Sequence, residues 1–167
     1  SHTPLVSEVA VAYDILPGPV RTVTFEAVLA PHLRRLDGTA ETLTPAALDQ
    51  LLTRACGPRP TVAVISACFS GVFINGAMRP NRMLVTAARS DRSSFGCGER
   101  NRYPYFDACV LESLPKAANF PDLADKARAC VARMEAETGM APPSEPQVRI
   151  GAEAQRVLSN LSFKTSP

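Results

Sequence analysis

The sequence has no large excess of charge of either sign. Across 167 residues, 18 lysines and arginines oppose 16 aspartates and glutamates, which leaves a formal net charge of +2. Proteins that bind nucleic acid usually carry a strongly basic face, because they neutralise backbone phosphates. Arginines are frequent between residues 79 and 102, but Asp91 and Glu99 interrupt them and no aromatic platform accompanies them. We therefore expect a solvated rim of loops there, and no nucleic-acid partner.

The sequence also lacks any apolar run that approaches the roughly 20 residues of a membrane-spanning helix. The first residues, Ser1-His2-Thr3-Pro4, contain neither a basic segment nor an apolar one, so no signal peptide is visible. They also lack an initiator methionine, which favours a trimmed chain or a fragment. Apolar residues make up 46% of the sequence and charged residues 20%, as in a single globular domain with a hydrophobic core. We expect a soluble protein; compartment and oligomeric state stay open.

Metal-binding side chains are few and wrongly spaced. There are two histidines, His2 and His32, and none of the five cysteines belongs to a Cys-x-x-Cys pair, so the sequence predicts no metal site. The odd number of cysteines leaves at least one thiol outside a disulfide. We expect Cys97 and Cys109 either to pack in the core or to pair with each other. Cys130 is expected to be a core residue on an apolar helix face.

The pattern of apolar residues predicts an α/β domain with a mostly parallel sheet. Residues 61–66 and 83–87 are short, continuous and rich in β-branched side chains, as strands buried on both faces should be. A helix precedes the first of them: Thr44 and Pro45 suit its beginning, and Gly57 ends it. A helix followed by strand, loop and strand is typical of a parallel sheet.

Periodicity and turn residues predict the remaining elements. The first helix should bury Leu48, Leu51, Leu52 and Ala55, which lie at i, i+3, i+4 and i+7. The three prolines at 142, 143 and 146 indicate an irregular loop. Further strands are expected at 9–13, 20–29 and 148–150, helices at 105–114 and 122–138, and a loose tail after Leu161.

Cys68 is the candidate nucleophile. It lies just beyond the strand predicted at 61–66, and in α/β sheets functional groups collect beyond the carboxyl ends of strands. Ser70 and Gly71 let the backbone bend there and bring N–H groups toward a substrate. The alternative is a buried, inert thiol that ends a core strand, which is common for cysteine. The pattern alone leaves both interpretations open.

A catalytic cysteine needs a base, since a thiol attacks as the thiolate, and imidazole titrates in a suitable range. His32 lies 36 residues before Cys68 and follows the strand predicted at 20–29. If that strand runs parallel to the strand before Cys68, both residues emerge at the same edge of the sheet. His2 lies near a terminus and is the weaker candidate. The alternative for His32 is a surface loop histidine beside two arginines.

An ordered set of five segments resembles a known family. The segments are SACFSGVF at 66–73, NRMLVTAA at 81–88, DRSSFGC at 91–97, NRYPYFD at 101–107 and PPSEPQ at 142–147. Together they resemble the legumain-type cysteine peptidases, the C13 family, in their bacterial branch. The likeness covers roughly residues 43–163. The ordered set is far more specific than a lone Ala-Cys-x-x-Gly.

The resemblance implies a caspase-like fold, a three-layer α/β sandwich with a mostly parallel sheet, and hydrolysis of peptide bonds after Asn or Asp without a cofactor. It implies that Cys68 is the nucleophile and His32 its general acid–base partner. The backbone N–H groups of Cys68 and Leu33 would hold the oxyanion. Ser94 and Asp107 would line the pocket for the substrate's Asn side chain, although Asp107 is displaced by a residue from the family position. The alternative for Ser94 is a serine that satisfies a turn.

The chain departs from the family near its beginning. The family's histidine lies in a Ser-His-Gly context, whereas this sequence has Pro31-His32-Leu33, and leucine lacks the conformational freedom of glycine. Residues 1–42 show no counterpart of the family's early strand and pocket arginine. We therefore expect a divergent or partial N-terminal portion at 1–42, a caspase-like peptidase core at 43–163 and a loose tail at 164–167. The expected partner is a peptide or protein substrate. A catalytically inactive homologue that binds peptides or proteins, and a redox-sensing thiol protein, are the alternatives.

Overall fold

The structure is a computed structural model of the 167-residue chain. It describes residues 44–96 and 101–163 in full, together with the backbone of residues 21–27, 32–34 and 40–42. Several predictions from the sequence lie outside the described residues: those for His2, Cys97, the strand at 9–13 and the tail at 164–167.

The described strands form a four-stranded sheet and a separate hairpin-like pair. The strands are β1 (Arg21–Ala27), β2 (His32–Arg34), β3 (Ala40–Thr42), β4 (Thr61–Ala67), β5 (Arg82–Thr86) and β6 (Gln147–Ile150). The sheet has the order β1-β4-β5-β6, in which β1, β4 and β5 run parallel and β6 is antiparallel to β5. β2 pairs antiparallel with β3. The predicted mostly parallel sheet is confirmed.

The two central strands are buried along almost their whole length because helices cover both of their faces. The helices are α1 (Pro45–Cys56), α2 (Phe73–Ala77), α3 (Tyr105–Ser113), α4 (Phe120–Thr138) and α5 (Ala152–Leu158). Ile65 and Leu84 pack with α1 and α2 on one face, whereas Val62, Met83 and Val85 pack with α3, α4 and α5 on the other. Alternation of side chains along a strand produces this division. The three-layer α/β sandwich that the resemblance implied is therefore present, and it is consistent with a caspase-like fold.

The first helix has the predicted ends but a narrower buried face. Thr44 caps the beginning of α1 with its side chain, and Gly57, with a φ of +58°, ends it. Leu48 and Leu52 are completely buried, but Leu51 is 38% exposed. The prediction that Leu51 is buried is wrong, because a row of residues four apart faces the sheet and the neighbouring row does not.

A disulfide joins Cys109 of α3 to Cys130 of α4. Both side chains are buried, and their Cα atoms are 5.6 Å apart, a usual separation for a disulfide. The predictions of core positions for Cys130 and Cys109 are confirmed. The alternative in which Cys109 pairs with Cys97 is wrong, because Cys109 is bonded to Cys130. The sequence missed the pair because only the packing of two helices brings together residues 21 positions apart. Cys56 and Cys68 are thiols.

The sequence missed α5. Its apolar residues Ala154 and Leu158 are completely buried, but they are only two positions in a seven-residue helix. The backbone N–H groups of Glu153 and Ala154 both donate to the carbonyl of Pro80 at 3.0 Å, so the helix is fixed at its beginning by a distant part of the chain. Contacts of this kind leave no periodicity in the sequence.

The residues that follow α5 also pack against the core. The backbone N–H of Phe163 donates to the carbonyl of Ala118 at 2.8 Å, and its ring meets the ring of Phe120 edge to face, with centroids 4.7 Å apart. The expectation of a loose chain directly after Leu161 is therefore wrong as far as residue 163. An aromatic contact between segments so far apart in sequence depends on the tertiary fold.

Arg82 does not belong to the solvated rim that the sequence suggested. Its side chain is 2% exposed, and it donates to the Asp49 carboxylate at 2.6 Å and to the carbonyl of Ala77 at 2.8 Å. Arg79 binds the same carboxylate at 2.7 Å. Hydrogen bonds from Arg79 and Arg82 lower the pKa of Asp49 to about 2. This cluster ties α1 to the beginning of β5, at the edge of the sheet opposite Cys68.

Candidate active site

Cys68 follows β4 at the edge of the sheet where the parallel strands end. Its side chain is partly exposed. The other thiol in the described part of the chain, Cys56, is 4% exposed and lies in the core between α1 and the sheet. The alternative in which Cys68 is a buried core residue is therefore wrong. Of the two thiols, Cys68 is the one whose position suits attack on a substrate.

The backbone of Ser94 holds the sulfur of Cys68. The N–H of Ser94 donates to Sγ at 3.3 Å, and the thiol donates to the carbonyl of Ser94 at 3.5 Å. Beside this pair, the N–H of Phe69 donates to the carbonyl of Arg92 at 2.8 Å. The segment 92–94, which follows β5, therefore runs along Cys68 and helps to hold it in place. A backbone N–H directed at sulfur also stabilises a thiolate.

The turn that carries Cys68 fits closely against the loop after β5. The hydroxyl of Ser70 is buried and accepts a hydrogen bond from the N–H of Ala88 at 3.2 Å. A Cβ atom on Gly71 would lie 2.4 Å from the backbone nitrogen of Ser90, so only glycine fits. Ala87 in turn donates to the carbonyl of Ile65 in β4 at 2.9 Å. The Ser-Gly pair after Cys68 is thus required by close packing of two loops.

The proline-rich segment at 142–147 binds the same loop after β5 and holds it in place. The N–H of Arg89 donates to the carbonyl of Ser144 at 2.8 Å, and its guanidinium binds Asp91 and Glu145. The N–H of Ser144 donates to the carboxylate of Glu135, which is 2% exposed, with nitrogen–oxygen distances of 3.1 and 3.2 Å. Sequence reasoning did not assign this role to Glu135. The sequence offers one signal for this contact, the PPSEPQ segment at 142–147, which contains Ser144 and is predicted to be an irregular loop.

Ser94 and Asp107 lie on adjoining elements. Ser94 is 9% exposed. Asp107 lies in the first turn of α3, which begins against the end of the Ser94 segment: the N–H of Tyr105 donates to the carbonyl of Phe95 at 3.0 Å. Ser94 therefore contacts Cys68, and the beginning of α3 contacts Phe95, the residue that follows Ser94. The use of Ser94 and Asp107 as a substrate pocket stays a prediction.

The backbone of His32 and Leu33 begins β2, just beyond β1. β1 is parallel to β4 with Ala27 opposite Ala67, so the two strands end at the same edge of the sheet. The condition stated for the dyad, a strand before His32 that runs parallel to the strand before Cys68, is therefore met, and in the sequence His32 comes five residues after the end of β1. The side chain of His32 lies outside the described residues, so the Cys68–His32 dyad stays a prediction.

The part of the chain that the structure describes contains neither a metal-binding cluster nor a helix that could span a membrane. There, no three His, Cys, Asp or Glu side chains form a cluster that could hold a metal ion. Over the same residues, no helix has both the length and the apolar character needed to cross a membrane.

Comparison with known proteins identifies the family. A family model described as the Peptidase C13 family matches residues 31–120, which is more than half of the 167 residues. The matched segment contains all five candidate site residues: His32, Leu33, Cys68, Ser94 and Asp107. A comparison with curated proteins found no match. The bacterial branch stays a prediction. The chain belongs to the Peptidase C13 family and is a cysteine-type peptidase by descent.

Proposed function

We propose that this protein is a cysteine endopeptidase that hydrolyses peptide bonds after Asn or Asp, with Cys68 as nucleophile and His32 as general acid–base partner. The position of Cys68 carries the proposal. It is a partly exposed thiol beyond the end of β4, with the N–H of Ser94 3.3 Å from its sulfur. Attack requires the thiolate, and a donor directed at sulfur favours that form. The family match supports the same chemistry.

In the first half of the reaction, the thiolate of Cys68 would attack the scissile carbonyl carbon and form a carbon–sulfur bond. The backbone N–H groups of Cys68 and Leu33 would donate to the oxyanion that develops. The carbon–nitrogen bond then breaks, and protonated His32 gives its proton to the departing amine. The parallel pairing of β1 with β4 supports this role, because the strands that precede His32 and Cys68 in the sequence end at the same edge of the sheet.

In the second half, water would hydrolyse the thioester. Neutral His32 takes a proton from the water, the oxygen attacks the acyl carbon, and the carbon–sulfur bond breaks to return the thiolate. No cofactor takes part in either half. The released product carries the new carboxylate at its Asn or Asp residue.

Ser94 and Asp107 would recognise the side chain of that residue. An Asn amide has both donors and an acceptor, so the Asp107 carboxylate can accept from its NH₂ group while the Ser94 hydroxyl donates to its carbonyl. The hydrogen bond between Tyr105 and Phe95 supports this arrangement, because it joins the two elements that carry these residues. Two ionised carboxylates repel each other. We therefore propose faster cleavage after Asn than after Asp at neutral pH.

The test of the nucleophile compares two thiols in one protein. We expect Cys68→Ala to abolish cleavage of a fluorogenic peptide that contains Asn, and the matched control Cys56→Ala to retain it. Mass spectrometry after brief iodoacetamide treatment should find Cys68 modified well before Cys56. Rapid alkylation without turnover would instead favour an inactive, peptide-binding homologue. A reversible Cys68 disulfide formed under peroxide, again without turnover, would favour redox sensing.

The test of the base compares the two histidines. We expect His32→Ala to lower kcat by about 10² to 10⁴, the usual contribution of a general acid–base group. His2→Ala is the matched control and should leave turnover unchanged. Wild-type turnover in the His32→Ala variant would remove His32 from the mechanism. It would leave the assignment of Cys68 intact.

A further inference from the structure

The turn next to the nucleophile exposes two large apolar side chains. Phe69 is 40% exposed and Val72 is 41% exposed, whereas Phe73 and Ile74, which follow them, are buried. The N–H of Val72 donates to the carbonyl of Phe69 at 3.1 Å, which closes a single tight turn. Such a turn brings its first and fourth residues close together, with Cα atoms within about 7 Å of each other. We call these two exposed side chains, whose backbones are neighbours, the apolar patch; it begins at the residue after Cys68.

The backbone of Phe69 makes this patch unusual. Phe69 has a φ of +59° and lies in the left-handed region, which glycine and asparagine adopt far more readily than a bulky aromatic residue. The core does not require its ring, since Phe69 is substantially exposed. Neither the local backbone nor core packing therefore explains an aromatic side chain at this position. Strained residues of this kind are concentrated at functional sites.

The patch is also held rigidly. Ser70 and Gly71, between its two members, are fixed against the loop after β5, and the N–H of Phe69 is bound to the carbonyl of Arg92. A rigid apolar surface binds a side chain without first having to be ordered. Two side chains are far too few for a stable protein interface, which buries roughly 800 Å² per partner. The occupant that fits is a single side chain of a peptide.

We propose that Phe69 and Val72 form a specificity subsite for a large apolar side chain of the substrate, at a position flanking the scissile bond. This inference rests on the proposed peptidase function, because the patch begins beside the thiol that would attack the substrate. A substrate leucine would bury apolar surface against Phe69 and Val72, whereas a substrate serine would not. The subsite would therefore select leucine over serine. The enzyme would then require two features in its substrate, the Asn or Asp and an apolar neighbour.

The experiment measures that selection with the double variant Phe69→Asn/Val72→Thr. Asparagine tolerates the left-handed backbone and threonine has the shape of valine, so the fold should be retained. Peptides with a fixed Asn carry Leu or Ser at each of the two positions before it and the two after it. The matched control is Leu51→Thr, which removes a similarly exposed apolar residue from α1.

We expect wild-type protein and Leu51→Thr to prefer Leu over Ser by about tenfold in kcat/KM at one flanking position. The double variant should show a ratio near one there. A wild-type ratio near one at every position, or a preference that survives in the double variant, would overturn the proposal. A dimer that the double variant converts to monomer, with the peptide preference unchanged, would also overturn it and make the patch an interface between copies.

A binding measurement separates this inference from the proposed function. Fluorescence anisotropy of the same peptides on Cys68→Ala protein reports affinity without turnover. If wild-type protein cleaves nothing, the peptidase proposal fails, and the binding result still decides the subsite. Tighter binding of the Leu peptide, lost on adding Phe69→Asn/Val72→Thr, supports it. Equal binding of the Leu and Ser peptides rejects it.

Discussion

The backbone of a single residue, Ser94, makes two hydrogen bonds with the sulfur of Cys68. The N–H of Ser94 lies 3.3 Å from Sγ and its carbonyl oxygen 3.5 Å from Sγ. The Ser94 hydroxyl takes part in neither bond. The loop after β5 therefore helps to fix the position of the Cys68 sulfur. The side chain of Ser94 is left available for a separate role.

Ser94→Ala should separate those two roles. Because the backbone bonds to Cys68 remain, we expect the rate of iodoacetamide modification of Cys68 to match that of wild-type protein. The loss of the hydroxyl should lower kcat/KM for an Asn peptide by about tenfold, the usual effect of one lost hydrogen bond to substrate. Alkylation and peptide-cleavage assays on the same samples provide the test. A matched fall in both rates would mean that Ser94 acts on the thiol alone.

Gly71→Ala should damage the site through the loop behind it. The added Cβ would lie 2.4 Å from the nitrogen of Ser90, and that backbone cannot move without shifting the segment that holds Cys68. We expect a loss of about 1–3 kcal/mol in the free energy of unfolding and a large fall in kcat. Gly139→Ala is the control, since its backbone is left-handed but nothing lies within 4 Å of the added atom. It should lose some stability and keep its activity.

The sequence predicted those parts of the fold that local chemistry determines. β4 and β5 follow from short runs rich in apolar and β-branched residues, and the ends of α1 from Thr44 and Gly57. It failed where the determining contact is distant in the chain. The partners of Cys109 and Arg82, and the anchoring of α5, depend on which elements pack together.

The candidate site divides in the same way. Cys68 could be predicted because a strand followed by a sharp turn marks the end of a parallel strand. The role of the Ser94 backbone could not be predicted, because every residue except proline has the same backbone N–H and C=O groups. The brace from Glu135 through Ser144 to Arg89 was hidden for a related reason: two of its hydrogen bonds use backbone atoms.

Glu135→Leu tests that brace. The substitution removes the acceptor of the buried Ser144 N–H, and an unsatisfied buried donor costs about 1–3 kcal/mol. We expect lower stability in urea unfolding and, because Ser144 binds the backbone of Arg89, a lower kcat in the folded variant. Glu137→Leu is the matched control, since Glu137 is exposed on the same helix, and it should change neither. Wild-type stability in Glu135→Leu would show that the brace contributes nothing.

Reduction of the Cys109–Cys130 disulfide should destabilise the layer that carries Asp107. The bridge closes a loop of 21 residues between α3 and α4, and cross-links of this size usually stabilise by about 3 kcal/mol. We expect the Cys109→Ser/Cys130→Ser variant to melt at a lower temperature than wild-type protein under non-reducing conditions. Its melting temperature should not respond to a reductant, whereas that of wild-type protein should fall. The Cys56→Ala variant, which keeps the bridge, should respond as wild-type protein does.

Acid should weaken the fold partly through Asp49. Its pKa is lowered from 3.8 to about 2 by hydrogen bonds from Arg79 and then Arg82. Since the folded-state pKa lies below the unfolded one, the stabilisation is fully present above the unfolded value and is lost as the pH falls toward about 2. We therefore expect wild-type protein to lose more free energy of unfolding between about pH 5 and pH 3 than Asp49→Asn does. Asp49→Asn should be less stable than wild-type protein at both pH values, because it leaves the buried Arg82 without its carboxylate partner. The quantity to compare is therefore the change in the free energy of unfolding between the two pH values. Asp125→Asn, on the exposed side of α4, should follow wild-type protein, and an equal loss in Asp49→Asn would contradict the assignment.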